Sequence, residues 1–140
     1  MFSRILKPFS LLPAFVLCAA LLHASGAAAA ELAPQSSQAG GVIVSVKPTD
    51  VSAAATTWQF QVTLTTHSGD LGDDLARTAT IVAGAGKPQP AAAWEGDPAG
   101  GHHRKGVLRF EALSPRPDAI ELRILRPGET APRTFRWKLK

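Results

Sequence analysis

Alternation with a period of two organises most of the chain after residue 40. Trp58, Phe60, Val62 and Leu64 are apolar, and Thr57, Gln59, Gln61, Thr63 and Thr65 between them are polar. Such a run reads as a strand that packs one face and wets the other. Ile120, Leu122 and Ile124 alternate with Glu121 and Arg123. Phe135, Trp137 and Leu139 alternate with Thr134, Arg136 and Lys138. Shorter runs stand at Val42 to Val46, Thr78 to Val82, Ala91 to Trp94 and Leu108 to Phe110. Breaker clusters separate them, among them Pro48-Thr49-Asp50, Ser68-Gly69-Asp70, Asp97-Pro98-Ala99-Gly100-Gly101 and Pro127-Gly128-Glu129. Six or seven short strands at this spacing predict an all-β fold, a single antiparallel β-sandwich of immunoglobulin-like type. A small barrel is the alternative. The one helical expectation is a short turn over Leu71 to Arg77, with Asp73 and Asp74 near its start.

The first thirty residues break this pattern. Arg4 and Lys7 precede an apolar run from Leu11 to Leu22, and small residues follow to Ala30. That is the layout of a secretory signal peptide. The run is short of the ~20 apolar residues a spanning helix needs. The organisation expected is therefore a signal peptide over 1–30, a flexible lead-in over 31–40 and a sandwich domain over 41–140. The location expected is exported, periplasmic or secreted, with no transmembrane segment in the mature chain. Cys18 is the single cysteine and reads as part of the apolar run, with a lipid anchor as the alternative. Its removal leaves no disulfide and no thiolate ligand.

Charge changes the picture little. The full chain is +4, and loss of Arg4 and Lys7 leaves a mild excess that does not argue for nucleic acid. Its distribution is uneven: ten basic and four acidic residues lie between Arg104 and Lys140. Solvent-facing Arg and Lys on one sheet account for this. A partner-contacting face including Arg123, Arg126 and Arg136 is the functional alternative.

Candidate chemistry gathers in two short polar segments. One is Thr66-His67-Ser68-Gly69-Asp70, and the other is Gly100-Gly101-His102-His103-Arg104-Lys105. Both lie at strand ends, which cluster at the poles of a sandwich. His67, Asp70, His102 and His103 are accordingly the candidate ligands for a transition metal, copper or zinc, since both take imidazole nitrogen with carboxylate. Adjacent residues of an extended chain face opposite ways, so one histidine of the pair meets His67 more easily than both. The glycines either turn both rings to one side or close a loop. Other constellations are weaker. Asp70, Asp73 and Asp74 lack the spacing and the closing glutamate of an EF-hand. Ser68 has no nucleophile elbow, and Gly84-Ala85-Gly86-Lys87 is followed by prolines that forbid a phosphate-loop helix. No catalytic constellation emerges, and the chain is expected not to be an enzyme.

Trp58-Gln59-Phe60, the Thr66-His67-Ser68 segment with Asp70-Leu71, Trp94-Glu95-Gly96 and the run from Gly101 to Phe110 resemble small exported bacterial β-sandwich proteins of uncharacterised function. The resemblance covers most of the chain after the leader. It implies the fold and the compartment, and that the two histidine segments belong together. The function expected is a non-catalytic binding module, with a metal ion or an envelope protein as partner. The alternative is a structural or protein-interaction module of the cell envelope without metal.

Overall fold

The computed structural model describes residues 32–140, so the leader expected over 1–30 and Cys18 lie outside the described residues. Nine strands and one helical turn follow in order. They are β1 (Gln35–Ala39), β2 (Val42–Asp50), β3 (Thr57–Thr66), α1 (Leu75–Thr78), β4 (Ala79–Val82), β5 (Gln89–Pro90), β6 (Ala93–Gly96), β7 (His103–Glu111), β8 (Ala119–Ile124) and β9 (Arg133–Lys138). The first sheet has the order β1-β2-β3-β7-β6 and the second β5-β4-β8-β9. All pairings are antiparallel, and the sheets do not join into a barrel. No helix among the described residues is long and apolar enough to cross a membrane.

The period-two runs place the core as their pattern predicts. Val44, Val46, Trp58, Phe60, Val62, Leu64, Leu108 and Phe110 from the first sheet share one buried cluster with Ile81, Ile120, Leu122, Ile124, Phe135 and Trp137 from the second. Aromatic rings bind the layers together. Phe60 meets Phe110 edge-on at 5.7 Å and Trp137 at 5.8 Å across the sheets. Each large buried side chain contributes roughly 1.5–3 kcal/mol of transfer free energy.

Two strands exceed the expected six or seven. β5 is a two-residue pairing at Gln89–Pro90, too short to leave a pattern. β1 falls within residues 31–40, expected as a flexible lead-in, and corrects that reading. Its side chains are polar and mostly exposed, so hydrophobic periodicity carries no trace of it. Polar contacts hold it instead. The Ser36 and Ser45 hydroxyls meet across the β1–β2 pair. The Gln35 side-chain amide both donates to the Arg136 carbonyl and accepts from the Arg136 N–H. The Trp137 indole N–H donates to Ala33 O at 2.8 Å. Residues 32–39 thus lie across the edges of both sheets. On the opposite side, residues 89–96 pass from the second sheet to the first, pairing with β4 and then β7.

Candidate functional site

The two histidine segments meet. Thr66 N donates to His102 O at 2.9 Å, Leu71 N donates to Gly101 O at 3.0 Å and Gly100 N donates to Leu71 O at 2.8 Å. Gly100 and Gly101 have φ of +116° and +72°, a region that L side chains avoid. They turn the chain so that its backbone pairs with Leu71; their role is to close a loop. On the other segment the Thr66 hydroxyl donates to Gly41 O and Ser68 O and accepts from Ser68 N. A side chain that bonds its own backbone two residues on makes a tight local turn.

The four candidate ligands all lie on the surface of this joined pole, and all are exposed. His103 opens β7 opposite Thr65, and its Nδ1 stands 3.3 Å from Thr65 Oγ1 in hydrogen-bonding contact. Strand parity sends it to the outer face, because Leu64, Thr66 and Arg104 face inward. His102 lies before the strand and His67 directly after β3. Asp70 lies against Gly100, where a Cβ would stand 3.8 Å from its Oδ1. The segments are brought together, yet among the described residues no three His, Cys, Asp or Glu side chains form a group that could hold a metal ion.

What fixes the pole is a set of buried charges that the period-two reading passed over. Arg104 is 2 % exposed. Its Nη1 donates to Leu71 O at 3.1 Å and to Asp73 O at 2.7 Å, and its Nη2 to Asp97 O at 3.3 Å. The guanidinium also lies over the Trp94 ring, 5.5 Å from its centroid, a cation–π contact strengthened by desolvation. Trp94 pairs with Leu108 on β7, and its ring can lie there because Gly106, two residues earlier, has no side chain: a Cβ on Gly106 would come within 2.6 Å of Trp94 Cζ2. The Trp94 indole N–H in turn donates to Asp97 O at 2.9 Å. One arginine and one tryptophan thereby hold the loops on both sides of the histidines.

A second arginine ties the sheets. Asp73, 1 % exposed, accepts from Arg126 Nε at 2.8 Å and Nη2 at 3.0 Å. This is the bidentate pairing that matches guanidinium to carboxylate. Asp73 is thus a partner of Arg126, and α1 begins at Leu75, four residues after the start of the turn expected over Leu71 to Arg77. Asp74 occupies its N-cap position without a side-chain capping bond. Arg126 also leaves the set of arginines open to a partner.

Arg133 completes the set at 6 % exposure. It donates to Val42 O at 2.8 Å, Ala39 O at 2.8 Å and Ser37 O at 3.0 Å, gathering the β1–β2 hairpin. It also bonds Glu129, whose carboxyl accepts from Nη2 at 2.6 Å. That hydrogen bond holds the Glu129 carboxyl below the usual glutamate range, against the opposing pull of partial burial.

One signal for these residues was in the sequence. Arg104 shares strand parity with Leu108 and Phe110, and Arg133 with Phe135 and Trp137. A charge on the apolar side of an alternating run is a buried charge in need of partners. Chemically, the pole offers imidazole, hydroxyl and carboxylate groups outward from a backbone that its buried arginines immobilise. A cavity of about 330 Å³ lies away from the pole beside Trp58, and one of about 540 Å³ lies beside the β1–β2 hairpin, lined by Ser37, Ala39, Glu129 and Arg133 and by none of the four candidate ligands. Comparison with protein-family models, curated proteins and solved structures found no match to this chain.

Proposed function

We propose that the chain is an exported, non-catalytic binding module of the cell envelope, an immunoglobulin-like sandwich that contacts a protein partner through its histidine pole. One observation carries the reading. Arg104, Arg126 and Arg133 are all buried at this end, and the loops they fix keep His67, Ser68, Asp70, His102 and His103 exposed. Burying charge is costly unless it is fully partnered. A fold that does so under one set of loops gains a rigid polar surface, the form in which loops serve recognition. A protein partner is favoured over copper or zinc, since among the described residues the exposed His and Asp side chains gather in no group of three.

The test is position-specific crosslinking in cells. A photo-crosslinking residue at position 102 should give a discrete protein adduct, and one at position 85, in the loop between β4 and β5, should not. A His67→Ala, Ser68→Ala double variant should weaken the adduct while changing stability by no more than about 0.5 kcal/mol, as surface substitutions do. Adducts that are identical from both positions, or absent from position 102, would overturn the reading.

A further inference from the structure

A second surface lies outside the pole. The second sheet carries a shallow groove of about 380 Å³ on its outer side. Leu125 lines it and is 43 % exposed, one of two large apolar side chains among the described residues that the core leaves in water. Pro88 and Pro132 flank it, both exposed. The backbone under the groove is fixed, since Leu125 N donates to Thr78 O at 3.1 Å and Arg126 is locked to Asp73 next door.

The same groove is lined by two guanidiniums, Arg77 and Arg123. Arg77 is exposed, and its side chain has no ion-pair or hydrogen-bond partner among the described residues. Arg123 shares the single carboxylate of Glu121 with Arg136, so that trio keeps one positive charge in excess. An apolar slot rimmed by unbalanced positive charge is complementary to an apolar side chain flanked by carboxylates. The volume falls near the lower end of the ~300–1,000 Å³ range of ligand sites. That suits an anchoring side chain and its neighbours more than a folded domain. A phosphate-rich surface would satisfy the arginines and leave Leu125, Pro88 and Pro132 exposed to water.

We propose that this groove docks an acidic peptide segment of a partner protein, with a leucine-like side chain against Leu125 and carboxylates on Arg77 and Arg123. The site is separate from the histidine pole and does not depend on it.

Fluorescence anisotropy of the purified protein tests this with a labelled hexapeptide holding one leucine between aspartates. Two control peptides replace the leucine by serine or the aspartates by asparagine. Saturable binding of the first peptide is expected, weakened about tenfold (~1.4 kcal/mol) in either control. Arg77→Glu and Leu125→Asp should each weaken it by a similar factor, and added salt should weaken it further. Both residues are exposed, so the thermal midpoint of each variant serves as the folding control. A His67→Ala, Ser68→Ala variant should bind the peptide unchanged. Equal binding of the serine peptide, equal binding by Arg77→Glu, or preference for anionic lipid vesicles over the peptide would overturn the proposal. No saturable binding up to millimolar protein would do the same.

Discussion

The two ends of the sheet pair close over one apolar core by opposite means. At the histidine end, buried Arg104 and Arg133 bond carbonyls of Ser37, Ala39, Val42, Leu71, Asp73 and Asp97, and the Asp73 carboxylate holds a third buried arginine, Arg126. At the other end a single half-buried arginine does this work. Arg116 donates to Val51 O at 2.9 Å and Leu139 O at 3.0 Å. The rest of that end is small side chains, Ala53 to Ala55 and Ala112, around a cavity of about 330 Å³ beside Trp58. One end is tied together by buried charge and polar contacts, the other mainly by small side chains. The difference teaches where the fold requires exact geometry. Long forked donors hold several segments at fixed distances, and small residues at the other end place no such demand.

The sharpest way to break this comparison is to remove a buried partner. Asp73→Ala leaves the buried Arg126 guanidinium with only the Glu129 carboxylate, 3.7 Å away, as counter-charge, and should cost about 3–5 kcal/mol. Arg116→Met at the opposite end should cost about 1.5–3 kcal/mol, the range for hydrogen bonds to a charged group. Urea unfolding of the two variants in parallel measures the contrast; equal losses would erase it. A smaller effect is expected from Gly106→Ala. The new methyl would meet Trp94 Cζ2 at 2.6 Å, Glu95 O at 2.7 Å and Gly96 Cα at 2.7 Å. Two of these are backbone atoms and cannot swing aside, so overpacking of about 1–3 kcal/mol follows. The Trp94 ring should be displaced from Arg104, which tryptophan fluorescence would report as a shifted emission maximum.

The smallest effect is a dependence on pH. Glu129 titrates below the usual glutamate range in the folded chain because Arg133 bonds its carboxylate. A lowered folded value means that the unfolded chain takes up the proton first as acid is added. The contribution is thus complete above the ordinary glutamate pKa of ~4.3. It fades as pH falls below that value and through the folded one. Glu129→Gln should flatten the acid limb of the stability curve below about pH 5 and lower its neutral plateau. Thermal midpoints across pH 3 to 7 check this, and an unchanged acid limb would show that the Arg133 contact contributes nothing.

Much of the fold was legible in the residues, and the reason is physical. Strands with one wet face must alternate, so Trp58 to Leu64, Ile120 to Ile124 and Phe135 to Trp137 announce both their conformation and their inward side. The edges were not legible. β1 is held by the Gln35 amide and by bonds from Arg133, and such contacts leave no periodic trace. At the pole, the adjacency of the histidine segments agrees with spacing arguments, which leave two roles open for Gly100 and Gly101; loop closure is the one found. The buried arginines were not legible because side chains of that type are ordinarily solvated. The run from Gly100 to Lys105 thus divides in function: Gly100 and Gly101 turn the chain, Arg104 anchors it inside, and His102 and His103 stay outside.

The strap formed by residues 32–39 has a further meaning for a chain whose only cysteine stands at position 18. β2, nine residues long, would be the outermost strand of its sheet without β1. A bare strand of that length is a template on which another chain can grow. With the Gln35 amide closed onto the Arg136 backbone, the segment replaces that long edge by a short, polar one, the kind that discourages further pairing. Its five residues present a much shorter edge than the nine of β2 would.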